Sequence, residues 1–196
     1  MILRYGNSLS TGAQHRCASL GASYAGRYKE IKMDELQGSI IEALKLLIQY
    51  DSDLIRTQPK EECINHKLAQ YLELILFKKR LLNKHDVDIE YNKYKENEKK
   101  SSDGRNIRPD IIVHERKSGN RNNLIVIEAK INYDAKGDRD KVEDLVKSEN
   151  FSYAVGAVIS YFPTREYVKI KFFGPGYTWK RYLLNKKDFT IRETKK

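Results

Sequence analysis

The chain has 196 residues, of which 40% are hydrophobic and 33% are charged. A chain of this length buries about 70% of its unfolded surface as one domain, and this composition excludes a wholly disordered chain. Its longest apolar runs fall far short of the ~20 residues that a membrane span requires, so we expect a soluble protein without a membrane partner. Its two cysteines cannot form a dense disulfide framework, which favours a cytoplasmic location.

The charge balance is strongly basic. The sequence holds 37 Lys and Arg residues against 27 Asp and Glu residues, a formal net charge of +10. A basic surface attracts polyanions, because phosphate contacts supply the sequence-independent part of nucleic-acid affinity. A basic surface that only keeps the protein in solution is the alternative.

The two ends of the chain differ in composition from the rest. The first 29 residues contain no Asp or Glu and show no apolar period. We interpret residues 1–32 as a flexible N-terminal extension, 33–190 as a single domain and 191–196 as a solvated basic tail. An acid-poor start with Arg and Ser is also typical of organellar transit peptides, which is the alternative interpretation of the extension.

The first half of the domain has helical periodicity. Apolar residues recur at helical spacing over 34–50, where Asp34 is a suitable N-cap, and this pattern predicts a first helix. A polar break over 51–58 then separates it from a second helix, which begins near Pro59 and continues to about Arg80.

The second half alternates between strand and helix patterns. Charged residues dominate the segment 95–106, which we predict to be a loop, and Gly119 lies in a predicted turn over 117–123. The predicted strands cover 87–92, 107–114, 124–131, 153–161, 165–173 and 177–184, and a short charged helix covers 138–150. This order predicts an α/β fold with a central sheet flanked by helices, in which 153–161 is a central strand.

Charged residues interrupt two apolar strands in the middle of the chain. Asp110 lies in the first of these predicted strands, and Glu128 and Lys130 share one face of the second. Paired in the right register, the strands bring the three side chains together. Two carboxylates and the carbonyl of Ala129 are ligands that suit Mg²⁺ or Mn²⁺. This set predicts phosphodiester hydrolysis, with Lys130 orienting water or stabilising charge; a structural ion-pair group is the alternative.

These residues form part of an ordered series of motifs. Pro109-Asp110 followed by Glu128-Ala129-Lys130 resembles the PD-(D/E)XK nuclease superfamily, and the wider series resembles a group of small prokaryotic members. The series reads His66-Lys67-Leu68-Ala69, then Val87-Asp88-Ile89-Glu90-Tyr91-Asn92, then Pro109 to His114, then Ile127 to Lys130. The resemblance covers about 34–161. It implies a restriction-endonuclease-like fold with a mixed central sheet, and a Mg²⁺-dependent deoxyribonuclease.

The resemblance also implies a glutamate on the preceding helix, and the sequence offers Glu61 and Glu62. At ~100° per residue, Glu61 falls on the same side as the apolar stripe of that helix, and Glu62 falls nearly opposite. We therefore predict Glu61 as the acid of the site, both catalytic and metal-binding, with Asp110, Glu128 and Lys130. First-turn compensation of the helix dipole is the alternative role for either glutamate.

Basic residues near these motifs are candidates for phosphate contacts. Arg108 either holds a phosphate or pairs with Asp110, and the resemblance implies that Lys141 and Lys147 on the following helix face DNA. Lys169, Lys171 and the run Trp179-Lys180-Arg181 suggest a further basic surface with aromatic residues.

Two alternatives to an independent nuclease remain open. One is a catalytically silent or partner-gated nucleic-acid-binding subunit of a larger complex. The other is an effector whose cleavage is gated by a partner or a small signal. A homodimer is one means of cutting both strands of a duplex. DNA is the expected partner in each case.

Overall fold

The computed structural model describes residues 33–94, 97–102, 104–116, 122–133 and 136–194. Residues Ile31–Lys196 belong to one compact unit. The predicted N-terminal extension over 1–32 lies outside the described residues, as do most of the predicted turn over 117–123 and the last two residues of the predicted tail.

Within the described ranges the chain forms three helices and nine strands. The helices are α1 (Met33–Thr57), α2 (Glu61–Lys78) and α3 (Lys136–Lys147). The strands are β1 (Asp86–Ile89), β2 (Lys93–Tyr94), β3 (Asn97–Glu98), β4 (Ile111–His114), β5 (Asn123–Ile131), β6 (Val155–Tyr161), β7 (Tyr167–Gly174), β8 (Tyr177–Asn185) and β9 (Ile191–Thr194). No helix among the described residues is long and apolar enough to cross a membrane.

Seven strands form one mixed sheet in the order β1-β4-β5-β6-β7-β8-β9, and β2 pairs with β3 in a separate ribbon. All neighbouring strands in the large sheet are antiparallel except β5 and β6, which are parallel and joined through α3. The predicted mixed α/β sheet flanked by helices is confirmed at this level. The strand predicted as central is β6, which is the fourth of the seven and buried throughout.

Two apolar cores cover opposite faces of the sheet. The larger core joins α1 and α2 to alternate residues of the central strands, including Ile111, Ile127 and Ala129. The smaller core joins Val142, Leu145 and Val146 of α3 to the other face, which includes Val126 and Val158. Side chains alternate between the two faces along a strand. Ile127 and Ala129 of β5 belong to the α1/α2 face, so Glu128, which lies between them in sequence, belongs to the α3 face.

Among the boundaries that differ from the sequence-based expectation, three change the core, the site or the edge of the sheet. The first helix does not end at Tyr50: it kinks at Asp51 and continues to Thr57, because Ile55 is buried in the core. The predicted strand 107–114 begins only at Ile111, so that Asp110 directly precedes β4. Residues 191–194, predicted to belong to a solvated tail, form β9 and pair with β8.

Candidate active site

Two buried carboxylates lie side by side where β4 and β5 meet. Ile111 pairs with Ile127, and this antiparallel register places Asp110 opposite Glu128. The two residues are 8% and 2% exposed, respectively. The backbone N–H of Asp110 donates to Oε1 of Glu128 at 3.3 Å, and the N–H of Ala129 donates to Oδ2 of Asp110 at 2.8 Å. Each strand therefore holds the carboxylate of the other in place.

Lys130 and Glu61 complete one side of this cluster. Nζ of Lys130 lies 3.1 Å from Oε2 of Glu61 and 3.7 Å from Oδ2 of Asp110. The N–H of Ile131 donates to Oε1 of Glu61 at 3.1 Å, so the first residue of α2 is joined to the end of β5. Glu62 is exposed. The structure thus brings together all four residues predicted as catalytic, and Glu61 contacts the cluster through Lys130.

Lys141 of α3 contacts the cluster from the opposite side. Its Nζ lies 2.6 Å from Oε1 of Glu128 and donates to the carbonyl oxygen of Arg108 at 2.7 Å. Only 23% of the Lys141 side chain is exposed. Lys141 was predicted to contact DNA, and in the structure its ammonium group contacts the buried carboxylate of Glu128.

The other two basic residues lie further out. The Arg108 side chain is 64% exposed and forms an ion pair with Glu90, so the alternative pairing of Arg108 with Asp110 is wrong. Lys147 is exposed and pairs with Glu143 on its own helix. An open cleft of about 660 Å³, lined by both Arg108 and Lys141, lies between the segment before β4 and α3.

Burial and like charge dominate the electrostatics of the carboxylate pair. Burial, and then the neighbouring charge of Asp110, raises the pKa of Glu128 to about 8. Burial also raises the pKa of Asp110 above its usual value. Burial acts to lower the pKa of Lys130, but Asp110 and Glu61 outweigh it and raise that pKa. Two negative charges at these neighbouring buried carboxyl groups repel each other. A cation bound between them would lower the cost of ionising both, so the pair attracts positive charge.

The donor set fits a hard divalent cation. In the hydrogen bonds above, Asp110 uses only Oδ2 and Glu128 only Oε1, so that Oδ1 and Oε2 accept no hydrogen bond from the described residues. Carboxylate oxygens are the ligands that Mg²⁺ prefers. Across the described ranges no group of three His, Cys, Asp or Glu side chains is arranged to hold a metal. Glu61, predicted as a third acidic ligand, forms an ion pair with Lys130.

No protein-family model matches the chain, and no match is found among curated proteins.

Sequence reasoning missed Glu90 as a neighbour of the cluster. The pattern over 87–92 predicted a strand with Glu90 on its solvent side, whereas β1 ends at Ile89 and Glu90 adopts a positive φ of 52°. The N–H of Glu90 donates to the carbonyl oxygen of Asp110 at 3.0 Å. Its side chain holds Arg108, and its charge contributes to the raised pKa of Asp110. Nothing in the local pattern predicts the turn that places it there.

His114 lies on the same face of β4 as Asp110 but belongs to a different group. Its Nε2 lies 2.9 Å from Oδ2 of Asp88, and Arg116 contacts the same carboxylate. The ring of Tyr91 packs against the imidazole with centroids 4.7 Å apart. These contacts join β1 to β4 and support the strand that carries Asp110.

Proposed function

We propose that this protein is a metal-dependent nuclease of the restriction-endonuclease-like fold, which hydrolyses phosphodiester bonds of DNA. The observation that carries the proposal is the buried pair of Asp110 and Glu128 with Lys130 beside it. A helix acid, Glu61, reaches the same strand end, in the arrangement that the sequence motifs imply. The net charge of +10 supports a polyanionic substrate.

Each residue has a distinct role in this proposal. Asp110, Glu128 and the carbonyl of Ala129 would hold Mg²⁺, which supplies Lewis-acid activation of water and neutralises phosphate charge. Lys130 donates hydrogen bonds to the attacking water or to the phosphate oxygen that gains charge. Glu61 fixes the ammonium of Lys130, since the two are in direct contact. Burial excludes bulk water and strengthens these interactions.

The test is cleavage of supercoiled plasmid, single-stranded DNA and RNA by the purified chain with Mg²⁺, Mn²⁺ or EDTA. We expect metal-dependent cleavage of DNA that is lost in Lys130→Ala and Asp110→Asn. Lys84→Ala is the matched control, because Lys84 is an exposed lysine outside the cluster and outside the residues assigned to DNA. Unchanged cleavage in Lys130→Ala would show that the activity does not come from this cluster.

A silent or partner-gated DNA-binding subunit is the second candidate function. Both buried carboxylates already have lysine counterions, Lys130 near Asp110 and Lys141 on Glu128, which favours a cluster that is stable without metal. The discriminating result is salt-dependent DNA binding without cleavage under any metal. If the protein binds Mn²⁺ and Asp110→Asn does not, the result would support the metal-dependent nuclease over the silent subunit.

A further inference from the structure

The strand register connects the acidic cluster to basic residues two to four strands away. In adjacent strands, residues directly opposite each other share a face of the sheet. One row across β5 to β9 consists of Lys130, Ser160, Lys169, Leu183 and Arg192. The next row consists of Glu128, Val158, Lys171, Arg181 and Thr194. With strands about 4.8 Å apart, each row extends about 19 Å from the cluster.

These rows carry charge of one sign beyond β5. We call Lys169, Arg181 and Arg192 the basic face; Lys171, in the second row, is too deeply buried to contact DNA. Among the strand positions that the structure describes, no Asp or Glu lies on this face of β6 to β9. Lys169 and Arg181 are half-buried, Arg192 is exposed and Lys171 is 4% exposed. Positive charge at this density is complementary to a phosphate backbone.

Aromatic rings and a buried hydroxyl group accompany these charges. Nζ of Lys169 lies 5.3 Å from the centroid of Phe162, and Nζ of Lys171 lies 4.9 Å from that of Trp179. Basic side chains interleaved with aromatic rings are typical of surfaces that follow a nucleic-acid strand. Ser160, between Lys130 and Lys169 in its row, is 1% exposed, and its Oγ has no hydrogen-bond partner among the described residues.

We propose that the basic face binds the phosphate backbone of the DNA strand that is cut at the acidic cluster, so that the strand runs along the accessible basic positions of β7 to β9. This inference rests on the proposed function, because the path of the DNA strand begins at the proposed catalytic residues Glu128 and Lys130. Binding itself is measurable without cleavage. DNA is favoured over an acidic protein because its phosphates are regularly spaced along the strand. The basic residues are also regularly spaced, since they lie on neighbouring strands of the sheet.

The test is the salt dependence of binding of labelled single-stranded and duplex DNA, measured by fluorescence anisotropy in EDTA. Lys169→Gln should lower the slope of log K against log salt by about 0.7 for single strands, or about 0.9 for duplex. Relative to ~1 M salt, this corresponds to an affinity at ~0.1 M that is about fivefold lower for single strands and about eightfold lower for duplex. A loss confined to one DNA form identifies the form that the face binds.

The matched control is Lys180→Gln. Lys180 adjoins Arg181 in β8, but it pairs with Phe172 and therefore lies on the opposite face. Its removal costs the same charge, and we expect the slope to remain unchanged. An equal loss in Lys180→Gln and Lys169→Gln would overturn the proposal, since it would show a response to net charge alone.

Arg181 provides a second test. Its Nε donates to Oγ1 of Thr194 at 2.6 Å, so Arg181→Gln also removes a contact between β8 and β9. Arg181→Lys keeps the charge, and we expect it to retain DNA binding that Arg181→Gln loses. Loss of binding in both variants, with Lys169→Gln unaffected, would overturn the proposal.

Plasmid cleavage by the same preparations separates this inference from the proposed function. If the wild-type protein cuts DNA while Lys169→Gln and Arg181→Gln bind normally, the basic face is wrong and the nuclease stands. If the wild-type protein cuts nothing while these variants lose binding selectively, the nuclease is wrong and the basic face stands.

Discussion

Nζ of Lys141 lies 2.6 Å from Oε1 of Glu128, which joins the helix after β5 to the more deeply buried carboxylate of the pair. A lysine of α3 thereby acts as the counterion of a group that is 2% exposed. Removing one partner of a buried ion pair leaves a charge or a polar group without compensation. The contact therefore contributes both to the position of α3 and to the ionisation of the cluster.

Lys141→Met should destabilise the protein through this contact. The substitution keeps most of the side-chain volume and removes the ammonium group, so Glu128 loses a hydrogen bond that is worth about 1–3 kcal/mol. The measurement is urea unfolding near pH 8. Lys147→Met is the control: its partner Glu143 is on the surface of the same helix, and an exposed pair is worth no more than about 1 kcal/mol. Equal losses in the two variants would contradict the role of the buried contact.

The stability of the metal-free protein should depend on pH through Glu128. Its pKa is about 8 in the folded protein and 4.5 in an ordinary environment. Between these values the folded state binds a proton that the unfolded chain has lost, so the free energy of unfolding falls as pH rises through the window. The raised pKa of Asp110 acts in the same direction.

Glu128→Gln is the variant that isolates this effect. It removes the titrating group, so the free energy of unfolding should vary less between about pH 5 and about pH 8 than in the wild-type protein. Lys130, whose pKa is raised by Asp110 and Glu61, remains charged across this range. Urea unfolding at several pH values in EDTA is the measurement. An identical pH profile in the variant would show that Glu128 is not the group responsible.

The sequence predicted the parts of the fold and the cluster that depend on local patterns. Alternation in the strands that became β4 and β5 placed Asp110 and Glu128 together, and the helical period of α2 selected Glu61 over Glu62. Both predictions use only the period of one element and the pairing of two neighbours. The α/β sheet flanked by helices, with 153–161 as a central strand, followed from the order of these elements, whereas the mixed character of the sheet was implied by the family resemblance.

Features that depend on tertiary packing were not predictable in this way. The strand β9 has an exposed pattern with no apolar period, and it forms because β8 offers an edge to pair with. Lys141 and Lys147 looked equivalent in sequence, since both are lysines of one charged helix. Only the packing of α3 on the sheet turns Lys141 towards Glu128.

Glu61→Ala should affect the protein more than Glu62→Ala. The first substitution removes the contacts of Glu61 with Lys130 and with the N–H of Ile131, and we expect a loss of about 1–2 kcal/mol because the pair is partly exposed. Glu62 is exposed, so its loss should stay within about 0.5 kcal/mol. Both residues lie in the first turn of α2, so the change in helix-dipole stabilisation is similar.

The same pair of variants tests the position of Lys130. Glu61 contributes to the raised pKa of Lys130, so this pKa should fall in Glu61→Ala and stay unchanged in Glu62→Ala. The measurement is NMR titration of the lysine ammonium groups, with Lys130→Ala used to assign the signal. The reverse ranking of the two variants would refute the assignment of Glu61 to the cluster.

Gly156→Ala should disturb the cluster from a distance, because Gly156 of β6 lies directly beneath α3. A Cβ added there would lie 2.5 Å from Cγ1 of Val142 and 2.7 Å from Cγ2 of Val146, and relief of such overpacking costs about 1–3 kcal/mol. Because Lys141 precedes Val142, a displaced α3 should also weaken the contact with Glu128. In Gly137→Ala the added Cβ meets no atom within 4 Å, and we expect no loss of stability. Thermal unfolding of both variants is the measurement, and equal stability would show that α3 does not depend on this close approach.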